Sequence, residues 1–107
     1  GRAMNAPRNG PEADATQTTW RMLLFLAGEE PNSRIARRNL DALCREDLSS
    51  RCEVEIVDVL EDFSLAAKHG ILVTPALVIL EPGPSAMVIG NLNDRRKVRA
   101  ALRLEKD

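Results

Sequence analysis

The sequence is poor in aromatic residues and in the residue types that build catalytic or metal centres. Its 107 residues include no tyrosine, one tryptophan, two phenylalanines, two cysteines and a single histidine, His69. One histidine without a neighbouring cysteine, serine or second histidine excludes a nucleophile triad and a zinc site built around it. The chain also lacks an apolar run near the roughly 20 residues that a membrane span requires. We therefore expect one non-enzymatic domain that binds no cofactor, metal or membrane.

The charge balance is nearly even, and the start of the chain shows no targeting signal. A net charge of −1 gives no overall attraction to nucleic acid or anionic lipid. Because the first residues lack the apolar segment of a secretory signal, we expect a cytoplasmic protein. A basic stretch over 95–103 is interpreted as a solvated helix face. A nucleic-acid interface there, or a patch for an acidic protein surface, stays open as an alternative.

The chain divides into a polar tail and one folded domain. Residues 1–18 show no apolar period and are predicted to be disordered, and Gly1 to Ala3 ahead of Met4 look like vector-derived residues. Residues 19–107 form the expected domain. Its first strand covers 20–26, a helix capped by Asn32 or Ser33 runs to about Leu48, and a second strand covers 53–59.

The second half of the domain is predicted to contain a short helix, two strands joined by a tight turn, and a final helix. A short helix opens at Glu61-Asp62 and ends at Gly70, and strands over 76–80 and 86–89 flank a Pro-Gly-Pro turn. Asp94 caps a final helix. The order is βαβαββα, with parallel pairing early and an antiparallel hairpin late. With Thr74-Pro75 just before the third strand, a candidate cis peptide, this order reads like an α/β thioredoxin-like fold.

The redox motif of that fold is absent. The junction between the first strand and first helix, residues 27–33, contains no cysteine. Cys44 and Cys52 do not have a metal or redox spacing and are interpreted as free thiols in a reducing compartment. A bridge between them would close a short loop and stays geometrically open. A thiol-based redox or stress protein that uses Cys44 or Cys52 is therefore the alternative to a binding protein.

Four segments resemble the circadian clock protein KaiB family. They match the family patterns "VAGxxPNS", "IDVL", "ILATPTL" and "IIGDLSNR" in that order. In this chain they read LAGEEPNS over 26–33, VDVL over 57–60, ILVTPAL over 71–77 and VIGNLNDR over 88–95. Each segment alone is weak, but four in register make the resemblance fairly specific. Asn91 departs from the aspartate that the family usually has after the glycine.

The resemblance implies a function and a second fold. It implies a non-enzymatic regulator that binds a KaiC-like ATPase, in a circadian clock or in clock-derived stress signalling. A histidine kinase, another clock-related protein and self-association are further partners, since the sensor domain of the kinase SasA is a related module. The family also adopts a βαββααβ ground form, for which Gly90 and Asn91 are the candidate hinge. The candidate partner-binding residues are Gly70, Ile71, Leu72, Val73 and Thr74.

Overall fold

A computed structural model describes residues 18–104. Residues 1–17 of the predicted tail, which ends at residue 18, and the last three residues of the predicted domain lie outside the described residues. Within 18–104 the elements follow the predicted βαβαββα order. They are β1 Trp20–Leu26, α1 Pro31–Asp47, β2 Cys52–Asp58, α2 Phe63–Lys68, β3 Ala76–Glu81, β4 Ala86–Ile89 and α3 Arg95–Ala101. None of these helices is long and apolar enough to cross a membrane.

The four strands form one mixed sheet in the order β2-β1-β3-β4. β1 pairs with β2 in parallel, with Met22 opposite Val54, and pairs with β3 antiparallel. β3 and β4 form the antiparallel hairpin that the turn chemistry predicts. The crossover through α1 permits the parallel pair, because parallel neighbours need a long connection while a hairpin needs only a turn. β2 and β4 are therefore the two edges of the sheet.

The core lies on both faces of the sheet, because β1 at its centre is covered on each side. Alternate residues of a strand point to opposite faces, and Leu24 and Phe25 are both fully buried. On the face of Leu24, the sheet packs against apolar residues of α1 and α3, among them Leu40 and Val98. On the face of Phe25, it packs against Ala66 of α2. This near-continuous burial explains why β1 reads as an unbroken apolar run.

The start of α1 differs from the sequence prediction. Glu30 is the residue that precedes the helix, and its side chain makes no capping hydrogen bond, while Pro31 is the first helical residue. Proline suits that place because its ring fixes a helical φ and its missing N–H would have no partner there. The prediction of Asn32 or Ser33 as the cap is therefore wrong. Ser33 is buried instead, and its Oγ accepts from the Ala27 N–H at 3.1 Å.

The two later helices begin as predicted, at aspartates. The Asp62 carboxylate accepts from the Leu65 N–H at 3.1 Å, and the Asp94 carboxylate accepts from the Lys97 N–H at 3.2 Å. Each bond pairs an N–H that the first helical turn leaves without an internal acceptor. His69 closes α2, where its ring lies 5.8 Å from the ring of Phe25, centroid to centroid. The single histidine thus packs at a helix end.

Candidate partner-binding groove

The five candidate partner-binding residues line one groove on the α2 face of the sheet. The groove has a volume of about 590 Å³ and lies between the β2–α2 connection, α2 and the segment before β3. Its wall includes all of residues 70–74, together with Leu60 and Phe63. The structure therefore brings the predicted residues together and adds two apolar side chains to them.

Large apolar side chains at this groove are exposed. Leu72 is 93% exposed, Phe63 75%, Leu60 74% and Val73 51%. Isolated exposed leucines are common on monomers, but a cluster that lines one groove is typical of an interaction site. We call Leu60, Phe63, Leu72 and Val73 the apolar rim. Its exposed state means that a partner could cover it without the core opening.

Leu60 and Phe63 were not among the residues predicted for this site. Both flank the acidic pair Glu61-Asp62, which predicts only the start of a helix. Two large apolar residues beside two carboxylates do not follow the period of a buried helix face, and that departure was the available signal. They line the same groove as Leu72 because the β2–α2 connection packs beside the segment before β3. That packing is a property of the tertiary structure and not of the local sequence.

The Asp58 carboxylate fixes one side of the groove. Asp58 is the last residue of β2, and its Oδ1 accepts from the Gly28 N–H at 3.1 Å and from the Leu60 N–H at 3.0 Å. Gly28 has a φ of +57°, and a Cβ atom there would lie 3.4 Å from Leu60 Cδ1. One oxygen thus joins the β1–α1 loop to the loop that carries Leu60.

Backbone hydrogen bonds fix the other side of the groove. Gly70 has a φ of +69°, in the left-handed region that glycine adopts at low cost, and its N–H donates to the Ala67 carbonyl at 3.0 Å. The Ile71 N–H donates to the Ala66 carbonyl at 2.9 Å. The Thr74–Pro75 peptide bond is cis. Leu72 follows Ile71 directly and is 93% exposed.

The candidate hinge residues lie beside the start of β3, where the Gly90 N–H donates to the Pro75 carbonyl at 2.9 Å, and they are tied to α1. Gly90 has a φ of +113°. The Asn91 side chain donates to Asn32 Oδ1 at 3.0 Å, while the Asn39 side chain donates to the Asn91 carbonyl at 2.9 Å and to Asn93 Oδ1 at 2.8 Å. These amides connect the β4–α3 loop to the first helix. A hinge role for Gly90 and Asn91 stays a prediction.

The two cysteines lie together, away from the first turn of α1. Cys44 is buried near the end of that helix, Cys52 is half-buried at the start of β2, and both are free. Burial raises the pKa of both thiols, and for Cys44 a hydrogen bond donated to Cys52 raises the pKa further. A catalytic thiol needs the opposite shift, because the thiolate is the nucleophile. The geometry therefore disfavours thiol catalysis.

Two arginines of the basic stretch fold back onto α1 instead of pointing freely to solvent. Arg95 Nη1 donates to Glu46 Oε1 at 2.8 Å, and Arg99 Nη1 lies 3.1 Å from Asp47 Oδ2. Both side chains stay partly exposed, at 41% and 34%, so these ion pairs lie on the solvated helix face that the sequence predicts. Carboxylates so close reduce the positive potential that a phosphate backbone would meet. The geometry therefore disfavours the nucleic-acid alternative.

Comparison with known proteins identifies relatives over most of the chain. The family model "KaiB domain" matches residues 23–104. The circadian clock protein KaiB3 of Synechocystis sp. is 37% identical over 79 residues, which cover 74% of this chain and 78% of the relative. The circadian clock oscillator protein KaiB of Microcystis aeruginosa is 36% identical over 86 residues, which cover 80% and 83%.

Solved structures share the fold. The N-terminal domain of Synechococcus elongatus SasA superposes with a TM-score of 0.68 at 21% identity, covering 94% of this chain and 97% of that domain. The germline-specific thioredoxin Deadhead of Drosophila melanogaster superposes with a TM-score of 0.65 at 20% identity, covering 85% of each chain. These two likenesses confirm the thioredoxin-like fold that the element order predicts.

Proposed function

This chain belongs to the KaiB family, and we propose that it is a non-enzymatic regulator. Its proposed partner is a KaiC-like ATPase, which it binds through the apolar rim. The observation that carries the proposal is the exposure of Leu72, Phe63, Leu60 and Val73 around one groove. The proposal places the chain in the cytoplasm, in a circadian clock or in clock-derived stress signalling. The domain that the sequence predicts over residues 19–107 is the proposed binding unit.

The chemistry of the rim specifies the kind of partner surface. Aliphatic and aromatic side chains gain affinity when apolar surface leaves water, by roughly 25 cal/mol for each Å² that is buried. Such contacts dominate when they lie at the desolvated centre of an interface, whereas charges at its border contribute little. The partner should therefore present an apolar element that inserts between α2 and the 70–74 segment.

Binding to a purified KaiC-like ATPase tests the proposal with a matched pair of variants. Leu72→Glu places a charge in the apolar rim, and we expect affinity to fall by about tenfold or more, as for a central contact. Arg96→Glu changes an exposed residue of α3, and we expect less than about a threefold change, because exposed charges are screened. Leu72 is almost fully exposed, so its substitution should leave the fold intact, which circular dichroism checks.

Equal affinity losses for the two variants would contradict the assignment of the groove. A pull-down with the whole chain as bait tests the partner itself. Recovery of a RecA-like ATPase supports the proposal. Recovery of only a histidine kinase, or of only a second copy of the chain, would contradict the proposed partner. The groove variants would then be tested for binding to the recovered protein.

A further inference from the structure

The turn between α1 and β2 brings the two cysteines together. Ser49 and Ser50 have φ angles of 52° and 61°, in the left-handed region that residues other than glycine rarely adopt. The Ser50 N–H donates to the Cys44 carbonyl at 2.8 Å, which closes the turn directly on the helix. β2 then starts at Cys52, so the chain returns past Cys44 after only one tight reversal.

The two cysteines lie beside one groove at the sheet edge. Cys52 packs against the core cluster that contains Cys44. Both residues line a groove of about 380 Å³ between α1 and β2, together with Val54 and Ile56. Cys44 is 8% exposed, whereas Cys52 is only half-buried. A small reagent can therefore reach Cys52 first, and Cys44 lies next to it.

We propose that Cys44 and Cys52 are a modification site, a dithiol that a low-molecular-weight disulfide converts into an intramolecular disulfide bond between α1 and β2. The inference does not depend on which partner binds the apolar rim, since that rim lies on the opposite face of the sheet. It assigns this chain a covalent state that ties the edge strand β2 to α1.

The reaction balances with one molecule of the oxidant. The Cys52 thiolate attacks a sulfur of the small disulfide, which breaks that S–S bond, forms a mixed disulfide and releases one small thiolate. The Cys44 thiolate then attacks the Cys52 sulfur, which forms the intramolecular bond and releases the second small thiolate. The two cysteine protons end on the two released thiols. The pair is oxidised by two electrons, and the small disulfide is reduced.

The environment of the pair predicts a slow reaction. Because burial raises the pKa of both thiols, little thiolate is present at neutral pH, and the rate should rise as the pH increases toward the raised values. This behaviour is the reverse of that of a catalytic dithiol, whose lowered pKa makes it reactive at neutral pH. We therefore expect the Cys44–Cys52 disulfide to form only on prolonged exposure to oxidant. Once it has formed, the same burial should slow its reaction with reductants.

Oxidised glutathione applied to the full reduced chain tests the proposal. We expect the intact mass to fall by the mass of two hydrogen atoms. Neither cysteine should then react with an alkylating reagent, and no covalent dimer should form. Trp20 supplies a second readout, since it is the only tryptophan and lies opposite Cys52 in the β1–β2 register. A disulfide quenches a nearby indole, so Trp20 fluorescence should fall on oxidation and recover fully with a reductant.

Single variants separate the steps. Cys44→Ala should stop at a mixed disulfide between Cys52 and glutathione, whereas Cys52→Ser should leave the buried Cys44 essentially unmodified. Intact mass separates the two disulfides, because the mixed disulfide in Cys44→Ala adds one glutathionyl group, whereas the intramolecular bond of the parent removes two hydrogen atoms. A wild-type chain that yields only mixed disulfides, only covalent dimers, or two alkylatable thiols after extended oxidation at raised pH would overturn the proposal, and this wild-type measurement does not depend on the variants folding.

Discussion

Replacing Asp58 should reveal how strongly one carboxylate oxygen holds the groove together. Asp58 Oδ1 accepts the backbone N–H groups of Gly28 and Leu60 at 3.1 and 3.0 Å. Asp58→Ala removes both acceptor contacts at once, in a half-buried place. Water can replace part of what is lost, because the carboxylate is not fully enclosed. The β1–α1 loop and the loop that carries Leu60 then lose their shared anchor.

The size of the effect follows from the two bonds. A hydrogen bond to a charged group contributes about 1.5–3 kcal/mol when it is buried, and partial exposure reduces that value. We expect Asp58→Ala to lower the free energy of unfolding by about 2 kcal/mol in total, taking roughly 1 kcal/mol for each bond. At about 4–8 °C per kcal/mol for a domain of this size, Tm should fall by roughly 8–16 °C.

Asp58→Asn is the matched control. Asparagine keeps an oxygen at the Oδ1 position and loses only the charge, so its loss should be below about 1 kcal/mol. Urea titration of the two variants and the parent gives the three free energies, and hydrogen exchange reports on the Gly28 and Leu60 amides individually. If the alanine and asparagine variants unfold at the same urea concentration, the two contacts do not stabilise the fold, which would contradict this prediction.

Three further predictions concern the rest of the fold. Ser33→Ala leaves the Ala27 N–H without its acceptor and should cost about 1–2 kcal/mol in thermal unfolding; an unchanged Tm would contradict this. Secondary chemical shifts over 95–101 should be helical, whereas extended shifts in an oligomer would show the βαββααβ order. Insulin reduction should show no turnover, because two thiols at the start of α1 are needed for it; turnover that is lost in Cys44→Ser would overturn the binding-protein interpretation.

The element order could be predicted from the sequence because its signals are local. The unbroken apolar run of β1, the Pro-Gly-Pro turn and the capping aspartates Asp62 and Asp94 each act within a few residues of their own position. Side-chain period and helix-end chemistry need no knowledge of distant parts of the chain. The family resemblance likewise depends on short segments in a fixed order.

The candidate site could be predicted only in part. The 70–74 segment was found by resemblance, but Leu60 and Phe63 join it through the path of the β2–α2 connection. Ser33 was expected as a cap and instead accepts from Ala27, because the helix already starts at Pro31. A short polar side chain beside a helix start has several partners within reach, and only the packed loop selects among them.

What the sequence alone determined is the order of strands and helices and the absence of a cysteine pair at the start of α1. The tertiary structure decided which distant residues lie together: Asp58 with Gly28, Arg95 with Glu46, and Cys44 with Cys52. The physical reason is range. Propensity and periodicity act over a few residues, whereas these contacts depend on how helices pack on the sheet and where tight turns return the chain.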